Sequence, residues 1–221
     1  MRIGESRWSG SAPSGAGLGA ALALLVAAVG VSCGSLPKTN YYTLRVPAVP
    51  ETKDPKARAV LGIERFRAAE VLGDDRIVYY ESPTQLNFYQ YHRWSSDPAA
   101  LLTDLVARRL SQAGTFSEVR RLPSREPVDY VLRGHLLNFE EVDYEAGVKG
   151  RVALEMTLFC SRDHKLLWSA RREVESAAEG QGVAGVVKAL DAASARLLDE
   201  VLPVLVAQVE HDLPEGSQPS P

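Results

Sequence analysis

Residues 148–161 read VKGRVALEMTLFCS, and apolar and polar side chains alternate along this stretch. A period of two residues is typical of a β-strand with one face in a core. The flanking stretches Val128–Tyr144 and Lys165–Glu175 have the same character, and Arg162–His164 supplies a turn before the second of them. The three stretches therefore predict a meander of antiparallel strands. The alternation in the first one shifts near Leu136-Leu137, which predicts a β-bulge at that point.

Two other segments have the periodicity of amphipathic helices. The first begins at Asp97-Pro98, a capping residue followed by a proline, and ends at Gly114. The second covers Val183–Val209, and Pro203 is expected to kink it or to end its first part.

Further segments rich in β-branched or alternating residues are interpreted as strands: Tyr41–Val46, Ala59–Phe66, Arg76–Glu81, Thr84–Arg93 and Thr115–Arg121. Strands followed by a helix, then strands and a second helix, predict an α+β domain. Its sheet is expected to be largely antiparallel, with two amphipathic helices packed on one face. This domain is expected to cover residues 41–211, and residues 212–221 are expected to form a disordered, polar tail.

The composition excludes several classes of protein. The 221 residues are 45% hydrophobic and 24% charged, with a formal net charge of −3, which lacks the basic excess of a nucleic-acid-binding protein. Two cysteines are too few for a disulfide framework or a zinc site with four thiolates. One of them, Cys160, falls on the apolar face of its strand, where a buried and unreactive thiol is expected.

The N-terminal residues are interpreted as a targeting signal. Arg2 and Arg7 precede an uncharged run at residues 18–31. As a helix this run would span about 21 Å, which is short of the ~30 Å hydrocarbon core of a bilayer. A basic region, a short apolar run and small residues are typical of a secretory signal peptide, here residues 1–32.

The end of this signal, Val29–Ser35, resembles a bacterial lipobox, although Gly30 stands where such motifs usually have leucine or valine. The resemblance implies that Cys33 is the lipid attachment site and that residues 33–40 form a lipidated tether. Gly34 follows the cysteine, whereas an aspartate there commonly retains a lipoprotein in the inner membrane. We therefore expect an outer-membrane lipid anchor that faces the periplasm. An ordinary signal peptide that ends near a cysteine is the alternative.

No motif indicates catalysis. Gly180–Gly185 matches the GxGxxG dinucleotide fingerprint, but the helix after it runs to the C-terminal tail, so no second parallel strand can complete the βαβ unit. The four histidines are dispersed, and Glu140, Glu141 and Asp143 are interpreted as a solvated strand end. We therefore expect no enzyme, no cofactor and no metal site.

Aromatic residues are concentrated in one part of the chain, with six of them between positions 79 and 94. Aromatic side chains on a sheet are often part of the core. However, a strand with aromatic residues on both faces, in a domain with helices on only one, exposes some of them, and exposed aromatics mark partner or lipid contacts. We hypothesise that Tyr89, Tyr91 and Trp94 lie partly at an interaction surface.

Several segments resemble, in order, the ABC-type transport auxiliary lipoprotein family. They follow Cys33 in the sequence and are Tyr41-Tyr42-Thr43-Leu44, Gly62-Ile63-Glu64-Arg65-Phe66, Arg76-Ile77-Val78-Tyr79-Tyr80, Phe88–Trp94 with Asp97-Pro98 after it, Asp129–Gly134 and Phe139-Glu140. The resemblance covers roughly residues 33–210.

The resemblance implies a non-catalytic lipoprotein that serves a lipid-transport system with mammalian cell entry (MCE) domains. Its partners would be an MCE-domain protein and that protein's ABC transporter, with the membrane reached through the lipid anchor and a homo-oligomer left open. The lipoprotein would dock the MCE protein at the outer membrane. Two alternatives are an envelope-integrity or assembly adaptor without lipid cargo, and a periplasmic hydrolase, for which the sequence offers no site.

Overall fold

The computed structural model describes residues 37–45, 57–144, 147–180 and 182–213. The predicted signal peptide, Cys33 and most of the predicted tail lie outside these residues. The described strands are β1 (Asn40–Tyr42), β2 (Ala57–Ile63), β3 (Arg67–Ala68), β4 (Arg76–Ser82), β5 (Gln85–Trp94), β6 (Phe116–Arg121), β7 (Tyr130–Val142), β8 (Lys149–Cys160) and β9 (Leu166–Ala177). The helices are α1 (Pro98–Gln112) and α2 (Val183–Asp212).

Strand β7 organises the sheet, because both of its edges are paired. Along one edge it runs antiparallel to β8, from Tyr130 opposite Cys160 to Val142 opposite Lys149. Strand β9 continues this side antiparallel to β8. The predicted meander is thus confirmed, and the register shift between Leu136 and Asn138 confirms the predicted bulge.

The other edge of β7 pairs with three short strands in succession, β2, β3 and β4, all parallel to it. Beyond them the sheet divides. Strand β6 pairs with β2 in parallel, whereas β5 pairs with β4 in an antiparallel hairpin and carries β1 in parallel at its outer edge. The sheet is therefore mixed: its longest ladders are antiparallel, as the sequence predicts, and the short ones with β7 are parallel.

Helix α1 has the predicted start. Asp97 accepts a hydrogen bond from the backbone N–H of Ala100 at 2.9 Å, and Pro98 occupies the first position, where its missing N–H costs nothing. Helix α2 continues through Pro203 to Asp212, so the proline does not end the helix.

Both helices pack on the same face of the sheet, which confirms the α+β prediction. On β8, a Cβ added at Gly150 would lie 2.7 Å from the backbone nitrogen of Leu190 in α2. On the same face of β7, a Cβ at Gly134 would lie 2.5 Å from the ring of Phe66, whose N–H bonds to Thr103 Oγ1 of α1 at 3.0 Å. The absence of a side chain at these two glycines lets the helix layer approach the strands closely.

The close approach of α2 to β8 can be tested with Gly150→Ala. The added methyl group meets the α2 backbone, which cannot rotate away, so we expect a loss of about 1–3 kcal/mol in the free energy of unfolding. Urea unfolding followed by circular dichroism measures the loss. Ser169→Ala, at an exposed position of β9, is the control; equal stability of Gly150→Ala and the control would contradict this account of the packing.

Candidate interaction surface

The aromatic residues singled out in the sequence lie on β5, and the structure separates them. Trp94 is a core residue, with 1% of its surface exposed and its ring centroid 5.0 Å from that of Phe139. The prediction that Trp94 lies at a surface is therefore wrong. It is the last residue of β5 and points to the side of the sheet that the helices cover, where a large apolar ring is stabilised by burial.

Tyr89 is half-buried and has a structural partner. Its hydroxyl donates a hydrogen bond to Glu141 Oε2 at 2.8 Å, and its ring centroid lies 4.7 Å from that of Tyr79. Burial, with the Glu141 carboxylate beside it, raises the pKa of the Tyr89 hydroxyl above its usual range. Tyr89 therefore links β5 to β7, and its hydroxyl is not free for a ligand.

Tyr91 remains at the surface, with 36% of the side chain exposed. The neighbouring edge strand β1 adds Tyr41, which is 65% exposed and lies opposite Arg93 of β5 in the parallel register. Leu86, near the start of β5, is also 36% exposed. The exposure of Tyr41 was not predicted from the sequence, although its position directly after the predicted tether indicates a residue near the edge of the domain.

The polar side chains around this edge are paired with one another. Arg93 Nη1 lies 2.6 Å from Asp75 Oδ1. Tyr42 Oη and His92 Nδ1 are hydrogen-bonded at 2.8 Å, and their rings stack. The β1–β5 edge, by which we mean these two strands and their exposed side chains, thus presents exposed aromatic groups beside neutralised charges.

The acidic cluster is not a solvated strand end, because Glu140 and Glu141 are 3% and 4% exposed. Only Asp143 is exposed, as predicted. Glu140 accepts a hydrogen bond from Asn138 Nδ2 at 3.0 Å, with Arg151 Nη1 at 3.7 Å. Burial raises the pKa of both glutamates above the usual value. The alternation of the strand did not reveal their burial, since it marks faces and not what covers them.

The remaining titratable residues of the described chain are dispersed. No group of three or more histidine, cysteine, aspartate or glutamate side chains there is placed to hold a metal ion. Cys160 is a buried free thiol, as the sequence predicts. The Gly180–Gly185 motif leads into α2, and the described chain ends at Leu213 without a strand after that helix.

A groove between α1 and α2 has a volume of about 440 Å³. Its walls are largely apolar and include Leu110, Leu198 and Val206. Arg109 of α1 is ion-paired with Asp199 of α2 across it.

None of the described helices combines the length and the apolar character that crossing a bilayer requires.

The sequence matches a family model described as "ABC-type transport auxiliary lipoprotein component" over residues 42–202. The match contains every described strand and helix from β2 to the middle of α2. No curated protein matches the sequence.

Solved structures share this fold, and two of them illustrate the likeness. Protein XCC0632 from Xanthomonas campestris is 21% identical, with a TM-score of 0.71, and the alignment covers 78% of this chain and 98% of the other. A second, described as an uncharacterized protein, is 17% identical, with a TM-score of 0.60 and coverage of 76% and 99%. At these identities the likeness concerns the fold alone.

The buried Glu141 carboxylate gives a testable dependence of stability on pH. Because burial raises the pKa of Glu141 in the folded state, stability falls as the pH rises above the pKa of an unfolded glutamate, and the loss is complete once the pH exceeds the folded-state value. Glu141→Gln should therefore have a higher urea midpoint than the wild type at pH 7. The difference should disappear below the pKa of an unfolded glutamate, about 4.3, where the wild-type carboxyl is protonated in both states.

Urea midpoints of both proteins at the two pH values check this prediction. Glu200→Gln, at an exposed position of α2, controls for the loss of one negative charge. A wild type that is more stable than Glu141→Gln at pH 7 would show that the ionised carboxylate is held by its partners and not penalised by burial.

Proposed function

Because the chain belongs to the ABC-type transport auxiliary lipoprotein family, we propose that it is an outer-membrane lipoprotein of an MCE-type lipid-transport system. In this role it is a non-catalytic auxiliary component. It docks the periplasmic MCE-domain protein at the outer membrane, so that lipid can pass between that protein and the membrane. The observation that carries the proposal is the family match over residues 42–202 directly behind a lipobox-like Cys33.

The proposed anchor fixes where the domain works. Each buried CH₂ of an acyl chain contributes about 0.8 kcal/mol to membrane binding, so two or three chains on one cysteine make the attachment effectively permanent. Tyr41 follows Cys33 by eight positions in the chain, and a fully extended chain of this length spans at most about 29 Å. The domain therefore stays close to its membrane, and the MCE-domain protein has to extend to the outer membrane to bind it.

The chemistry of the described residues supports a docking role and not a catalytic one. The ionisable groups of the candidate surface are engaged in ion pairs and hydrogen bonds within the fold, such as Arg93 with Asp75 and Tyr89 with Glu141. A docking component needs exposed surface and a fixed position, which the domain and its anchor supply.

Lipid attachment at Cys33 is the first test. Cells that are fed an alkyne analogue of palmitate should label the wild-type protein. The mass of the processed protein should equal that of a chain that begins at Cys33 and carries the acyl chains on that residue. Cys33→Ala should lose the label completely, whereas Cys160→Ala should keep it. Equal labelling of the wild type and Cys33→Ala would contradict the anchor.

Docking of the MCE-domain protein is the second test. The acylated protein, purified from envelopes in mild detergent, should retain an MCE-domain protein and its ABC transporter, identified by mass spectrometry. The matched control is the same preparation from cells that lack the MCE-domain protein. Recovery with only peptidoglycan-associated or porin partners would contradict lipid transport and support an envelope-integrity adaptor.

A further inference from the structure

Tyr41 has the most exposed large hydrophobic side chain in the described part of the molecule, at 65%. It lies in the middle of β1, a strand of three residues at the outer edge of the β4–β5 hairpin. The core does not include this ring, since Tyr42 and not Tyr41 packs against it. An exposed tyrosine at a sheet edge points to a contact outside the domain.

We propose that the β1–β5 edge lies on the surface of the lipid bilayer, with Tyr41 and Tyr91 at the level of the headgroups. The proposal rests on the lipid anchor proposed above and adds a defined orientation of the domain to it. The acyl chains hold the protein on the membrane, and the two tyrosines decide which side of the domain faces the lipid.

The position of Tyr41 in the chain supports a lipid contact. It follows the candidate lipid attachment site by eight residues, so its Cα lies within about 29 Å of the anchored cysteine whatever path the tether takes. Strand β9, another edge of the sheet, is on the far side of β7 in the strand order and enters the chain only at Leu166. Among the large exposed apolar side chains of the described residues, Tyr41 is thus the one nearest along the chain to the candidate anchor.

The chemistry of the edge also fits a bilayer surface. Tyrosine is enriched where hydrocarbon meets headgroups, because its ring is apolar and its hydroxyl is hydrated. The nearby Arg93 is neutralised by Asp75 at 2.6 Å, so the contact does not depend on net positive charge. Binding of this edge should therefore vary little with salt concentration.

The small size of the apolar surface favours lipid over a protein partner. Tyr41, Tyr91 and Leu86 are the large apolar side chains exposed on these two strands. A stable protein interface usually takes about 20–30 residues on each side. A membrane contact that only orients an anchored domain needs far fewer, because the acyl chains already supply the affinity.

Fluorescence of an introduced tryptophan tests the proposal. The acylated Tyr41→Trp protein is placed in vesicles of phosphatidylethanolamine and phosphatidylglycerol, with or without acyl chains brominated near the headgroups. Acylated Leu166→Trp is the matched control, since Leu166 is 53% exposed on the opposite edge of the sheet. The emission of the processed wild type, which retains Trp94 and Trp168 once Trp8 is removed with the signal peptide, is subtracted.

The proposal expects Tyr41→Trp emission to shift to shorter wavelength on the vesicles and to be lost to the brominated lipid, at low and high salt alike. Leu166→Trp should show neither change. Tyr91→Trp gives a second reading of the same edge and should respond as Tyr41→Trp does.

Equal quenching at both edges, or none at Tyr41 and Tyr91 in an acylated sample, would overturn the proposal while leaving the anchor intact. A shift of Tyr41→Trp and Tyr91→Trp emission to shorter wavelength only after the MCE-domain protein is added would also overturn the proposal. That result would assign the edge to a protein partner. A sample whose mass shows no acyl chains would instead refute the anchor and, with it, this orientation.

Discussion

The backbone pairing of β7 on both edges is the constraint on which the rest of the molecule depends. A buried strand has to satisfy its N–H and C=O groups on both sides, and β7 does so with β8 along one edge and with β2, β3 and β4 in turn along the other. This arrangement divides the sheet into a β2–β6 part and a β4–β5–β1 part. It also leaves one face of β7 and β8 for the two helices.

The division of the sheet determines which aromatic residues of β1 and β5 are buried and which are exposed. Trp94 joins the helix-covered core, and Tyr89 connects β5 to β7 through Glu141. Most of the aromatic concentration therefore stabilises the part of the sheet that lies on the other side of β7 from β8 and β9, where α2 packs. Tyr41 and Tyr91 remain exposed at the outer edge, where they can contact a membrane or another molecule.

The chain belongs to a family of auxiliary lipoprotein components of ABC-type transport. In the proposed function, the lipid anchor holds the domain at the outer membrane, and the exposed surface of the domain binds the MCE-domain protein. The orientation proposed for the β1–β5 edge would add a defined side of the domain that faces the membrane. Lipid attachment and orientation together would then define a docking platform.

The sequence by itself determined the local features of this protein: the start of α1 at Asp97-Pro98, the strands of the meander, the bulge near Leu136 and the family. These depend on periodicity and on capping, which act between residues close in the chain. Only the tertiary structure decided that β2, β3 and β4 run parallel to β7, that Trp94, Glu140 and Glu141 are buried, and that Tyr41 is exposed. The physical reason is that alternation defines the two faces of a strand, whereas its neighbours and the layer that covers each face are set by contacts between residues distant in sequence.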